Sequence, residues 1–169
     1  MNYHNITTDD MNNGDGLRVV LWVAGCEHHC PECQNPQTHN YESGIPFDDN
    51  ALNELRKELS KDYIAGITLS GGDPLAPKNR EIVADIVYWV RYNFPDKTIW
   101  VYTGYKYEQL VFEGNFSACF ILKNIDVLVD GRYKKDLRDV NLKWRGSSNQ
   151  RVLDMKKTLQ AGREVLWCD

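Results

Sequence analysis

Three cysteines, Cys26, Cys30 and Cys33, fall within eight residues at x3 and x2 spacing. Thiolates placed this way on one loop can converge on a single centre. The chain has five cysteines, an odd number, so a fully paired disulfide framework is excluded; Cys119 and Cys168 stand alone. In a reducing compartment, clustered thiols are metal ligands or redox groups rather than structural bridges. Two chemistries are open. A four-iron cube takes one thiolate per iron, so three cysteines leave one iron free to meet a substrate. A zinc ion could instead take the three thiolates with His28, His29 or His39. Zinc knuckles are small independent modules, whereas this loop follows the first strand of a longer pattern. A zinc knuckle would also leave the glycine-rich segments downstream without a purpose.

The elements that must position the thiols are legible. Residues 17–24 are almost uncharged and rich in Val, Leu and Trp, which predicts a buried parallel strand running into Gly25 and the cysteines. Asp48 reads as a helix N-cap, with Phe47 and Leu52 as a hydrophobic staple and Leu52, Leu55 and Leu59 as the inward stripe. A short strand at 67–69 runs into Ser70-Gly71-Gly72-Asp73-Pro74. Residues 79–94 form an amphipathic helix with Ile82, Ile86 and Val90 on one face, stopped by Pro95. Strands follow at 98–102 and 126–130, with two helical pieces split at Gly114 and Asn115 between them. Residues 132–148 show little periodicity and read as a functional loop. A strand at 149–154, a helix at 156–160 and a strand at 165–167 close the chain. Alternation of strand and helix implies an α/β fold with a mostly parallel sheet and right-handed crossovers. Ligands in such sheets sit at the carboxyl ends of the strands. Those ends carry Gly25-Cys26, the Ser70–Asp73 turn, Thr103-Gly104-Tyr105 and Asp130-Gly131.

Composition narrows the function. With 169 residues, 42 % hydrophobic and 26 % charged, the chain has the make-up of one globular domain. Its longest uncharged apolar run falls far short of the roughly 20 residues a membrane span needs. The N-terminus lacks a basic-then-apolar signal pattern, which makes the cytoplasm the expected compartment. The formal net charge of −4 argues against a general nucleic-acid binder. Charge is uneven, however. Residues 1–50 hold eight acids and one base (−7), and residues 132–157 hold nine bases and three acids (+6). The basic segment, with Lys134 and Lys135, is either a solvated face or a docking face for an acidic partner.

The Cys26-x3-Cys30-x2-Cys33 spacing resembles the cluster motif of the radical S-adenosylmethionine superfamily. The Ser70–Pro74 turn resembles its second-strand motif, whose backbone contacts the methionine amino group. In that superfamily the fourth iron is chelated by the methionine portion of the cosubstrate. One electron then cleaves the sulfonium and releases a 5′-deoxyadenosyl radical. Many members carry an aromatic residue just before the third cysteine; Glu32 stands there in this chain.

Further segments resemble one family, the activating proteins of anaerobic ribonucleoside-triphosphate reductase. They are Asn13-Gly14-Asp15-Gly16-Leu17-Arg18, Ser70 to Leu75, Trp100 to Tyr105, Val129 to Tyr133, and Trp144-Arg145-Gly146-Ser147-Ser148-Asn149-Gln150. A proline is commoner in the family at the position of Asp15. The resemblance implies a single domain over 1–169 built as a partial (βα) barrel of the radical S-adenosylmethionine type. Its cluster loop covers 25–44, and a C-terminal part covers 149–169. It implies a 4Fe-4S cluster on Cys26, Cys30 and Cys33. It also implies S-adenosylmethionine bound through Ser70, Gly71, Gly72 and Asp73. Thr103 is a further candidate contact, Asp130 a candidate for the ribose diol, and Arg145 and Asn149 candidates for the cofactor carboxylate or adenine. The implied activity installs a glycyl radical on the reductase, with a reduced flavodoxin-like protein as electron donor. Activation of another glycyl-radical enzyme, of the pyruvate formate-lyase type, and a zinc-stabilised interaction module are the alternatives. His28 and His29, between two of the cysteines, are either exposed residues or groups that tune the cluster or meet the partner; Cys119 reads as a small buried filler and Cys168 as a terminal bystander.

Overall fold

In the computed structural model of the chain, residues 1–168 are described. The chain opens with β1 (Asn2–Asp10), which turns back antiparallel into β2 (Leu17–Val23). The cysteine loop follows and returns through a two-residue strand, β3 (Ile45–Pro46), to pair with the start of β1. Then come α1 (Asp49–Leu59), β4 (Ile64–Gly71), α2 (Arg80–Asn93) and β5 (Thr98–Tyr102). Two short helices, α3 (Tyr107–Glu113) and α4 (Phe116–Asn124), lead to β6 (Val127–Asp130). After a long loop, β7 (Arg151–Asp154) runs straight into α5 (Met155–Ala161).

The seven strands form one open sheet in the order β3-β1-β2-β4-β5-β6-β7. The expectation of a mostly parallel sheet needs correction. The central pairs β2/β4, β4/β5 and β5/β6 are parallel, but both edges are antiparallel, through β1/β2, β1/β3 and β6/β7. The residues of β1 are mostly polar and only Tyr3 and Ile6 are buried, which is why no strand is legible there. The strand expected at 165–167 reduces to a single bridge, Leu153 to Leu166. The long loop holds one 3-10 turn, Lys135–Leu137, and one bridge, Arg138 to Ser147.

The two faces of the sheet differ. On one, Val19, Leu21, Val23, Ile67, Leu69, Ile99, Val101 and Leu128 pack against all five helices in one apolar core. The Asp48 carboxylate caps α1 by accepting from the backbone N–H groups of Asn50 and Ala51. Ala51, Leu55 and Leu59 then face the core, with Leu52 at its margin. Helix α2 buries Val83, Ile86, Val87 and Val90 and ends before Pro95, as the pattern predicts. Among the described residues, no helix is long and apolar enough to cross a membrane.

The opposite face has no helix in its apolar cluster. Trp100, Val127, Val129 and Val152 form a small group there, with Tyr102 and Trp144 packed against it. Beside it lies Arg18, fully buried. Its Nε donates to Thr68 Oγ1 at 2.7 Å, and its terminal nitrogens donate to Thr98 Oγ1 and to the carbonyls of Asp15, Ile67 and Thr98. The guanidinium also lies 5.3 Å from the Trp100 ring centroid. Burial lowers its pKa to about 10, so it remains charged at neutral pH. A buried cation satisfied this fully pins the β1–β2 turn to β4 and β5. Arg18→Met keeps much of the volume but strands these acceptors. We expect a loss of about 3 kcal/mol in urea unfolding; a change below about 1 kcal/mol would show that the guanidinium is not what ties the turn down.

Candidate active site

The parallel strands β2, β4, β5 and β6 end on one side of the sheet, and the site is built there. Strand β2 stops at Val23, and two residues later the cysteine loop begins. That loop closes on itself through backbone bonds from Gly25 N to the Thr38 carbonyl (2.7 Å) and from Cys26 N to the His39 carbonyl (3.0 Å). It is fastened to the end of β4 by bonds from Gly72 N to the Val23 carbonyl and from Asp73 N to the Gly25 carbonyl. The glycines are required by this approach. A Cβ on Gly71 would lie 2.7 Å from the backbone of Val23, and one on Gly72 would lie 2.5 Å from the Gly25 carbonyl oxygen. Gly71 also has φ +104, a conformation costly to any other residue. The glycine pair is thus fixed by contact between two strand ends. The Asn79 side chain locks the same junction by donating to the carbonyls of Ala24 (2.9 Å) and Asp73 (3.0 Å).

Asp73 is the centre of the arrangement. Its carboxylate is almost fully buried. Oδ1 accepts from Leu75 N at 2.8 Å. Oδ2 accepts from Thr103 Oγ1 (3.0 Å), from Gly104 N (2.9 Å) and from His28 Nε2 (2.7 Å). An ionised carboxylate only accepts, so His28 carries its proton on Nε2.

Cys26, Cys30 and Cys33 open into one cavity of about 390 Å³, in the range of small-molecule sites. Of the residues proposed from sequence, Ser70, Gly71, Gly72, Asp73, Thr103 and Arg145 also line it. The cavity runs down the helix-free face past Trp22 and Tyr102, and the loop after β6 walls it with Tyr133 and Trp144. Gln150 shapes that wall. Its Oε1 accepts from the N–H groups of Gly146 (2.9 Å) and Ser147 (3.1 Å), and its Nε2 donates to the Gly131 carbonyl (3.0 Å). The Tyr102 hydroxyl holds the Trp144 carbonyl at 2.7 Å. Trp22 and Tyr102 carry a signal that the sequence reading did not use: strand alternation places them on the face of Arg18, Thr68 and Trp100.

Asp130 and Asn149 are not among the residues lining the cavity. Asp130 is buried, with Oδ1 and Oδ2 engaged by Arg151 (2.9 and 2.5 Å) and Oδ2 also accepting from Tyr107 N at 2.8 Å. Asn149 donates to the Arg132 carbonyl at 2.8 Å and leaves a buried Oδ1 without a partner. Arg145 reaches the Gln150 carbonyl at 3.2 Å, and its Nε is buried without a partner.

The donor set bears on what the thiols can hold. Among the described residues, the one trio of ligand atoms lying within 4.8 Å of one another is Cys26, His28 and Asp73. The three thiols do not gather that closely. A single tetrahedral zinc with Zn–S of about 2.3 Å brings its sulfurs to roughly 3.8 Å apart. A cube with one thiolate per iron holds its ligands at separate corners and does not require them to gather around one point. Burial pushes the Cys26 thiol up to about 11 and also raises Cys30, while the backbone N–H groups of His28 and Tyr133 pull these two the other way. Asn35 N donates to Cys33 Sγ at 3.4 Å. Metal binding here must displace thiol protons, and backbone N–H groups stand ready to stabilise the thiolates.

The 4Fe-4S single cluster domain family matches residues 12–153. A protein of Enterobacteria phage T4 is 48 % identical over 152 residues, covering 90 % of this chain and 93 % of its own length. One of Escherichia coli K12 is 44 % identical over 156 residues (90 % and 97 %), and one of Pasteurella multocida 40 % identical over 152 residues (89 % and 95 %). Each of the three is an anaerobic ribonucleoside-triphosphate reductase-activating protein.

Asp73→Asn must turn an amide N–H toward donors that need an acceptor, so we expect a loss of about 2–3 kcal/mol in chemical denaturation of the metal-free protein; unchanged stability would remove Asp73 from the centre of the site. Glu108 also pairs with Arg151, at 2.7 and 2.8 Å, and this holds its carboxyl down at about 2. Because the folded-state value is depressed, the pair stabilises the protein above the ordinary value of 4.5 and ceases to as pH falls toward about 2. The pair is half-exposed, so Glu108→Gln should cost no more than about 1 kcal/mol near neutrality. That deficit, read from thermal unfolding against wild type, should shrink through this acid window; a pH-independent deficit would assign it to packing.

Proposed function

The chain belongs to the 4Fe-4S single cluster domain family and to the anaerobic ribonucleoside-triphosphate reductase-activating proteins, and from that premise we propose that it is a radical S-adenosylmethionine activase. Its protein substrate is the anaerobic reductase, and its setting is the cytoplasm. The observation that carries the reading is the meeting of three half-buried thiols and the Ser70–Asp73 turn on one open cavity. The sheet, with helices on one face and a concave cavity on the other, is compatible with a partial barrel.

In this reading Cys26, Cys30 and Cys33 hold a 4Fe-4S cluster. When bound, the cluster would supply one electron to S-adenosylmethionine, so that its sulfur–C5′ bond breaks to methionine and a 5′-deoxyadenosyl radical, which would take an α-hydrogen from a glycine of the reductase and leave as 5′-deoxyadenosine. The chain's own residues bind, orient and exclude water. Ser70, Gly71 and Gly72 present a rigid turn to the methionine end. Asp73 keeps that turn in register with Thr103. Arg145, which lines the cavity and leaves its Nε without a partner, receives a carboxylate in this reading. Trp22, Tyr102 and Trp144 provide apolar walls for an adenosyl group. Asp130 and Asn149 act from behind the wall, through Arg151 and the Arg132 carbonyl. A peptide loop as substrate needs an accessible mouth, and the cavity has one. The exposed Lys134 and Lys135 lie on the loop that walls it, and Lys135 pairs with Glu32 of the cysteine loop. A low-potential protein of the flavodoxin type serves as electron donor.

Anaerobic reconstitution with iron and sulfide, followed by reduction with S-adenosylmethionine present, should yield 5′-deoxyadenosine. Adding the reductase should yield a glycyl-radical EPR signal. Cleavage without that signal would move the protein substrate to another glycyl-radical enzyme, and absence of cleavage would sink the reading.

A further inference from the structure

We propose that His28 is a positioning residue for the iron–sulfur site: its side chain clamps the first turn of the cysteine loop to the ends of β4 and β5 and fixes the surroundings of the Cys26 sulfur. The inference rests on the reading of Cys26, Cys30 and Cys33 as cluster ligands.

The loop has few buried ties to the sheet. Its root is tied to β4 by the bond from Asp73 N to the Gly25 carbonyl; beyond that, the backbone N–H groups of Gly25 and Cys26 run to Thr38 and His39, within the loop itself. The side-chain ties from Glu27 to Tyr41 and from Glu32 to Lys135 lie at the surface. His28 differs. Its side chain is 4 % exposed, and its Nε2–H donates to Asp73 Oδ2 at 2.7 Å. The ring stands edge-on to Tyr105, with centroids 4.5 Å apart. It occupies the space a side chain at residue 104 would fill, since a Cβ on Gly104 would lie 2.3 Å from the ring. Histidine at 28, aspartate at 73, and threonine, glycine and tyrosine at 103–105 therefore fit as one set. The set reaches the thiols directly, because a His28 ring nitrogen and an Asp73 oxygen both lie within 4.8 Å of Cys26 Sγ.

The physical consequence concerns the ligand rather than the fold. Polar partners that hold a metal ligand in place set its orientation and its affinity for the metal. Hydrogen bonding around a cluster sulfur also sets the ease of reduction. With the ring clamped, the His28 imidazole and the Asp73 carboxylate keep their places beside the Cys26 sulfur. With the clamp gone, the loop between Cys26 and Cys30 can swing and those surroundings change.

The test uses the full-length protein reconstituted anaerobically as wild type, His28→Gln, His28→Leu and His28→Ala. A glutamine amide reaches about where the imidazole Nε2 does and can donate to Asp73. Leucine fills the space over Gly104 but donates nothing. Iron and sulfide content, the rate of iron release to a chelator, and the midpoint potential from EPR-monitored titration without cosubstrate are read together, beside thermal unfolding of each metal-free protein. We expect the Leu and Ala variants to release iron on the order of 10–100-fold faster, with His28→Gln within about twofold of wild type. The midpoint should fall in the Leu and Ala variants, because the more negative reduced cluster loses stabilisation, and should be restored by Gln.

Wild-type iron retention and potential in a folded His28→Leu protein would overturn the proposal, as would a Gln variant that behaves like Leu. Should the Ala variant not fold, the Leu and Gln pair decides alone. A wild-type protein without iron–sulfide absorbance would instead overturn the cluster reading. A single metal ion per chain, lost on His28→Ala, would make Cys26, His28 and Asp73 a mononuclear site and overturn both.

Discussion

One carboxylate, 1 % exposed at the end of β4, holds three walls of the cavity together. Asp73 gathers a backbone N–H from the turn that follows it, a hydroxyl and a backbone N–H from the end of β5, and an imidazole from the cysteine loop. Such a charge is costly to remove from water and is tolerable only when its acceptor positions are matched. The same requirement gives it specificity. A shift of the cysteine loop, or of β5 relative to β4, leaves a buried donor or acceptor unmatched. The strand ends therefore have one low-energy arrangement, and the thiols inherit it. The glycines at 71 and 72 serve this arrangement by letting the backbones of two strand ends touch.

The opposite ends of the strands are held by a charge of the other sign. Arg18 reaches two hydroxyls and three carbonyls, so the β1–β2 turn folds over the helix-free face and closes it. Thr68 completes that closure by donating to the Asn13 carbonyl at 2.7 Å. The sheet thus has a dry, apolar face under the helices and a polar-lined face with a buried ion at each end. A cavity can persist on the second face because its floor is fixed from both ends. The first face supplies most of the apolar burial and carries none of the cavity's polar groups.

How much of this was legible depends on what each residue reports locally. The parallel strands are visible because buried strands read as uncharged Val- and Leu-rich runs, and their carboxyl ends because glycine and polar residues cluster there. The cysteine spacing and the Ser70–Asp73 turn sit at those ends, so their convergence could be inferred without coordinates. Strand β1 could not be read, since an edge strand burying two of nine residues looks like a polar loop. Arg18 carries no local mark of burial, because its partners lie 49 to 80 residues away, apart from the Asp15 carbonyl. Asp130 looks like a free strand-end carboxylate until the antiparallel register of β7 sets Arg151 opposite it. The last two share a cause: each depends on register between strands, which composition and periodicity do not encode.

The wall formed by residues 132–150 follows a different rule from the sheet. It has almost no backbone ladder of its own, with one bridge from Arg138 to Ser147. It is instead hung from the frame by side chains: Gln150 on the carbonyl of Gly131, Tyr102 on that of Trp144, and Lys135 on Glu32. Opening a segment held by a few such bonds disturbs no strand pairing, whereas moving the end of β4 would break the Asp73 contacts and the core behind them. The half that carries the thiols is fixed by buried charge and close backbone contact, and the half that carries Trp144 and Arg145 is fixed by side-chain bonds and by the packing of Trp144 on Trp100, 5.0 Å between ring centroids.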